Sequence, residues 1–279
     1  MEKSNKKILQ DSLDRAFKGG ISGSCAMVAN VGALMWLRTT MNYQYRYGLS
    51  GKDAFKTLYK DGGVLRFYRG IGPALLQGPL SRFGDTATNA GVLKLLDSYQ
   101  NTKEIPLAIQ TGIASFFAGS FRFFITPIDT IKTSIQVEGS LNTLRNKLKV
   151  NGVRTLYQGS LASATSTMAG HYPWFTTYNM LNYNIPEQDT RFKQIFRNGC
   201  IGFASSIASD TTANSFKVLK VYKQTHHKSI TYKQSIQNIV NDKGIYSLFF
   251  RGLKTRLLSN GIQGFMFSVL WKYFESQLT

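Results

Sequence analysis

An aromatic, polar and glycine triplet recurs along the chain at intervals of roughly ninety residues, and a period of that size fixes the architecture before any single motif does. The three copies are Tyr68-Arg69-Gly70, Tyr157-Gln158-Gly159 and Phe250-Arg251-Gly252. A glycine suited to a corner precedes each: Gly63, Gly152 and Gly244. Upstream of each corner lies a short amphipathic stretch with Lys and Arg between its apolar residues: Ala54, Phe55, Leu58 and Tyr59, then Leu141, Leu144 and Leu148, then Ile236, Ile239 and Val240. That spacing suits a helix lying in a membrane interface. Each unit reads as span, interfacial helix, span, and since one unit cannot bury a polar lining, three should close around an axis.

The charge distribution supplies the spans. Charged residues make up only 18% of the chain and are clustered. Gly19 to Leu37 carries no charge, and Gly159 to Pro186 is interrupted only by His171. Both are long enough to cross a hydrocarbon core of roughly 30 Å. Gly70 to Lys94, Ile105 to Thr126, Asn198 to Phe216 and Leu257 to Phe274 complete a set of six. A mean hydropathy of −0.17 argues against helices that face lipid on every side and favours helices lining a polar cavity. The net charge of +19 does not point to nucleic acid, because Lys and Arg crowd the segments joining spans one to two, three to four and five to six. The two intervening segments are short and nearly neutral. This alternation is the bias of a multi-pass membrane protein.

Cys25 and Cys200 fall within expected spans, where a small buried hydrophobe is the expected role, and no disulfide framework is implied. Glu2, Asp11 and Asp14 make the first eighteen residues unlike a secretory signal or an acid-poor transit peptide. His226 and His227 lack further ligands at useful spacing, so no metal site is expected. No phosphate loop or hydrolytic triad is present, so no catalytic residues and no enzymatic activity are expected.

The sharpest motif is Pro127-Ile-Asp129-Thr-Ile-Lys132-Thr-Ser-Ile-Gln136. Proline should bend the third span, and Asp129 and Lys132 lie on one face, where each can pair with a neighbouring helix. Together with the triplicated glycine signals, this motif resembles the mitochondrial carrier family over essentially the whole chain. The resemblance implies an all-α membrane fold: six transmembrane helices in three tandem repeats with three interfacial matrix helices, in pseudo-threefold array. The repeats would span 12–100, 104–186 and 191–279. It also implies a multi-pass protein of the mitochondrial inner membrane.

In that family a proline, acid and base motif recurs in each odd-numbered helix, and the three pairs close the matrix side of a central cavity. Here the third repeat reads Ser215-Phe-Lys217-Val-Leu-Lys220 and the first is read as Gly32-Ala-Leu34-Met-Trp-Leu37, so a ring of three ion pairs is not expected. Asp129 should pair with Lys132, Lys217 or Lys220, and that one pair is the most this side offers. The opposite gate is similarly thin. Tyr178-Asn179-Met-Leu-Asn182 has amides in place of charges, Lys272 and Glu275 have reversed signs, and the stretch near Thr88 and Asn89 is uncharged.

By spacing from the glycine triplets, the family's substrate contacts fall near Gln77, Ser166 with Thr167, and Ser259 with Asn260. One turn deeper lie Arg82 with Asp85, and His171. The expected function is therefore a carrier moving a small solute by alternating access. The alternative is a carrier fold that has lost transport and serves as a structural subunit of a larger inner-membrane, respiratory complex. Basic helix starts, around Arg69, Gly70, Gly159, Arg251 and Gly252, are expected to hold anionic lipid, which the resemblance suggests is cardiolipin. No other cofactor and no nucleic-acid partner are expected.

Overall fold

The structure, a computed structural model, describes residues 28–81, 84 and 107–278, and all regular structure among them is helical. A helix over 28–47 (α1) is followed by α2 (Gly51–Phe67) and by a helix over 71–81 (α3). Next come α4 (Leu107–Glu138), α5 (Asn142–Asn151), a 3-10 turn (Gly152–Tyr157) and α6 (Ser160–Asn184). The last third holds α7 (Arg191–Thr225), α8 (Tyr232–Lys243), the short α9 (Ile245–Phe250) and α10 (Leu253–Leu278). The short amphipathic helices α2, α5 and α8 each follow a long one, as the triplicated pattern requires. The chain turns at Gly63, Gly152 and Gly244, all at positive φ.

The long helices overrun the boundaries that charge suggests. Thus α4 continues past Thr126 to Glu138, unbroken at Pro127, and α7 continues past Phe216 to Thr225. Charges end a hydrophobic run but not a helix when they point inward and find partners, and those of α4 and α7 do. For the same reason no described helix is long and apolar enough to cross a membrane by itself. Burial is mixed, with polar side chains in the interior beside apolar ones and large apolar side chains on the outside. Asn30, Asp129, Gln136, Asn214 and Gln224 are buried, whereas Phe124, Phe192, Phe196 and Tyr183 stand outward. Large apolar side chains on the exterior and polar ones within suit lipid outside and a water-lined cavity inside. Cys200 lies on that exterior, exposed, and not buried as its place in a span suggests, because its side of α7 carries Phe192 and Phe196 outward as well. Cys25 lies outside the described residues.

Three equivalent seams close the bundle. Gly70 packs on the Lys132 carbonyl, Gly159 on the Lys220 carbonyl, and Gly252 on the Met41 carbonyl, so each repeat leans on the next and the third leans on the first. A base from each repeat then caps the C-terminal carbonyls of the next long helix. Arg66 donates to Gln136 O at 2.9 Å and Val137 O at 2.8 Å. Lys147 donates to Gln224 O at 3.1 Å. Arg251 reaches Arg46 O at 3.4 Å while Lys243 donates to Gly48 O at 3.0 Å. These caps satisfy carbonyls that a helix terminus leaves without partners. Inside the ring, Met41, Val137 and Val218 belong to one buried apolar cluster.

Lys147 is buried in its seam. Burial first, and then the Arg46 charge, push its ammonium down to about 8 from an ordinary 10.5, against the opposing pull of Glu138. Between those two values the unfolded chain holds the proton that the folded one has released, so stability should rise with pH across this window. The expected result is a positive slope from pH 8 to 10.5 in thermal unfolding of the wild type, reduced in Lys147→Met. Equal slopes for the two proteins would contradict the assignment.

Candidate functional site

A cavity of about 470 Å³ lies between α1, α3, α4, α7 and α10, and its walls are polar. At its floor Asp129 is shared between two bases. Lys132 Nζ donates to one carboxylate oxygen at 2.7 Å and Lys220 Nζ approaches the other at 2.8 Å. Gln224 Nε2 adds a third donor at 3.2 Å. Lys132 also donates to Gln77 Oε1 at 3.0 Å, which ties the floor to α3. Gln136 faces the same space and accepts from Asn42 Nδ2 at 2.6 Å.

The seams correct the register of the first repeat. Since the carbonyls of Lys132, Lys220 and Met41 meet equivalent glycines, Arg38 to Met41 aligns with Asp129 to Lys132 and with Lys217 to Lys220. The segment 32–37 read from the sequence is misplaced. Counting forward from a glycine pair loses the register, whereas packing against the next repeat sets it. Arg38 and Lys217 therefore stand where the second repeat has its acid. Arg38, read from the sequence as part of a basic connecting segment, is inside the bundle and donates to Gln263 Oε1 at 2.8 Å.

One ion pair is not the most that this side offers. Asp210, two turns back from Lys217 on the same face of α7, forms a second shared-acid group: Lys217 Nζ at 2.6 Å and Arg256 Nε at 2.7 Å, with Asn260 as a further donor. Lys217 is thus held by Asp210 and not by Asp129. A seven-residue spacing, two helical turns, was the available signal for this pair. It was missed because a three-residue spacing was sought.

The proposed contact residues divide. Gln77, Ser259 and Asn260 line the cavity. Thr167 accepts from Arg122 Nε at 3.1 Å, so it orients a cavity-lining arginine that the sequence reading did not single out. Ser166 is buried on α6. His171 sits against α4, its Nδ1 3.0 Å from Ser115 Oγ. Arg82, Asp85, Thr88 and Asn89 lie outside the described residues, as do the side chains of Lys272 and Glu275. In the expected opposite gate Tyr178 stacks on Trp174 at 5.0 Å, and Asn182 accepts from Arg197 at 3.0 Å. Among the positions expected to hold lipid, Arg69 is exposed. Arg251 is buried and engaged by Asp242 at 3.1 Å and Ser247 at 2.5 Å, as part of a seam. Burial withdraws its guanidinium from a lipid surface.

The profile of the family described as mitochondrial carrier protein matches residues 106–188 and 192–279, more than half of the chain. Among curated proteins, the mitochondrial ornithine transporter 1 of Saccharomyces cerevisiae is 22% identical over 91% of this chain and 92% of its own length. The mitochondrial 2-oxodicarboxylate carrier of Rattus norvegicus is 22% identical over 98% of this chain and 97% of its own. A mitochondrial carrier protein of Zea mays, CoAc1, is 27% identical over 47% of this chain, and the match spans 42% of that protein's length. A second partial match, mitochondrial substrate carrier family protein S of Dictyostelium discoideum, spans 47% of its length.

Proposed function

From the premise that the chain belongs to the mitochondrial carrier protein family, we propose that it is a multi-pass protein of the mitochondrial inner membrane that moves a small solute by alternating access. Three repeats, 12–100, 104–186 and 191–279, would surround the path, and the solute would pass chemically unchanged. The observation that carries this reading is the central cavity. At about 470 Å³ it falls within the range of roughly 300–1,000 Å³ usual for small-molecule sites. Its polar walls come from helices of all three repeats, as a path between opposed gates would require. Transport relatives with substrates as different as ornithine and 2-oxodicarboxylates leave the solute to be set by this chain's own side chains. An anionic lipid such as cardiolipin near the helix starts at Gly70 and Gly159 belongs to the same reading.

The test is counter-exchange in liposomes loaded with a broad panel of anions, amino acids and nucleotides. Saturable uptake that vanishes in Arg122→Ala, with the variant still folded, is the expected result. The second reading, a structural subunit of a larger assembly, is favoured by one observation: Arg38 and Lys217 occupy two of the three acid positions of the inner ring, so the ring of ion pairs is incomplete. Wild-type liposomes that take up nothing in the panel, together with stable co-purification of other inner-membrane subunits, would replace the carrier reading by this one.

A further inference from the structure

We propose that the first turns of α7 hold a phospholipid, with an acyl chain in a groove beside Phe196 and Cys200 and its phosphate met by Lys193. This rests on the membrane placement proposed above and not on transport through the central cavity.

A groove of about 280 Å³ runs between the α6–α7 connection, at Ile185 and Gln188, and the start of α7, at Phe192, Phe196 and Cys200. It lies at the end of α7 away from α8 and shares no lining residue with the central cavity. Phe192, Phe196 and Cys200 follow one another at four-residue steps, so they share one face of the helix, and all three are exposed. A methyl group added at Gly199 or Gly202 would meet nothing within 4 Å. The surface therefore dips between the Phe196 and Phe203 rings, which leaves room for a chain. Arg197, buried at 6% exposure, fixes the opposite wall. Its Nε donates to Ile185 O at 3.0 Å, and its remaining donors go to Ile185 O, Asn182 O, Asn182 Oδ1 and Asn198 Oδ1. All five of its N–H groups are thus spent on neutral acceptors.

Lys193 lines the same groove, one turn before Arg197. Like charges four residues apart on a helix repel, and a surface facing lipid strengthens the repulsion. Neither base has a carboxylate partner among the described residues. Glu187 and Asp189 belong to the same connection, but both are exposed, neither lines the groove and neither bonds to either base. With its donors spent, Arg197 acts on a ligand through its charge alone, and the exposed Lys193 ammonium is left to make the bond. An acyl chain gains little by exchanging other chains for protein, because both are apolar. What retains one lipid is its polar end, and a phosphate is the lipid group that answers two bases at the edge of an apolar track. A purely apolar partner helix would leave both bases unanswered.

The experiment uses the full-length protein in mild detergent, with Cys25→Ser leaving Cys200 as its single thiol. Alkylation of Cys200 by N-ethylmaleimide is timed as phosphatidylglycerol, or the diacylglycerol of the same chains, is added. Phosphatidylglycerol should slow the reaction roughly tenfold at about ten times its Kd, because only the unoccupied fraction reacts. Diacylglycerol, which lacks the phosphate, should protect far less. Lys193→Gln should raise the phospholipid concentration for half-protection roughly fivefold, the scale for one base near a membrane surface, and Lys193→Arg should not. A thiol placed by Phe124→Cys on the outside of α4, where Phe124 is 79% exposed, serves as control in a chain lacking Cys25 and Cys200. It should not distinguish the two lipids. Should Lys193→Gln fail to fold, the comparison of the two lipids at the two thiols still decides. Equal protection of Cys200 by both lipids, equal protection of both thiols by the phospholipid, or an unshifted Lys193→Gln in a folded protein would each overturn the site. Protection of Cys200 in native membranes that no phospholipid reproduces with the purified protein would assign the groove to a partner protein and overturn it as well. Solute exchange that persists while lipid protection fails would end this site and leave the carrier reading intact.

Discussion

Replacing Asp129 by asparagine is expected to cost about 3–5 kcal/mol of folding stability, the usual scale for removing one partner of a buried ion pair. The reason is geometric. Its two oxygens hold Lys132 at 2.7 Å and Lys220 at 2.8 Å, and all three side chains are largely withdrawn from solvent. An amide leaves two ammonium groups facing each other near Arg38, without the carboxylate they shared. Thermal unfolding in detergent measures the loss. The double variant Asp129→Asn, Lys220→Met should recover part of it, because the second change removes one of the stranded charges. If the double variant were less stable than the single one by the full cost of a second substitution, the shared-acid account would be wrong.

Gly159→Val should be the other severe change, at about 3 kcal/mol from the combined cost of a left-handed backbone and a steric clash. Gly159 has φ 82, a region that a β-branched residue adopts only with strain. A methyl group placed there would also lie 3.0 Å from the Lys220 carbonyl oxygen, on backbone that cannot swing away. Gly199 is the control. It is helical and a methyl there would meet nothing within 4 Å, so Gly199→Ala should be neutral or slightly stabilising. Comparable losses in the two variants would mean that the seam is not where the strain falls.

The fold was legible because its strongest signals are repeated. Three glycine triplets and three glycine corners give the period, and short amphipathic runs between them give the interfacial helices. The ends of the long helices were less legible. Hydropathy treats Asp129, Lys132 and Lys217 as stops, whereas the bundle uses them as its lining. The site was legible where a motif is intact, as at Asp129 and Lys132. It was obscured where Arg38 and Lys217 have taken the place of acids, because no local pattern distinguishes an inward cation from one in a loop. Asp210 shows the same limit from the other side. Its partners, Lys217 and Arg256, are seven and forty-six residues away, and only the packing of α7 on α10 makes them one group.

The seams also dictate an order of assembly. Arg66 caps carbonyls 70 and 71 residues further along the chain, and Lys147 caps one at a separation of 77. These contacts can form soon after each unit is synthesised. The cap on Arg46 comes from Arg251, 205 residues later, and Gly252 completes the seat on Met41 in the same region. The first helix is thus among the earliest made and the last to be sealed. Until residue 252 is in place, α1 meets the third repeat through α7, where Tyr45 bonds Asn214, and lacks the seat that Gly252 provides at the Met41 carbonyl. A chain cut short before residue 243 would keep the first two seams and lose every cap of the third, leaving the carbonyls of Arg46 and Gly48 without the bonds that Arg251 and Lys243 supply.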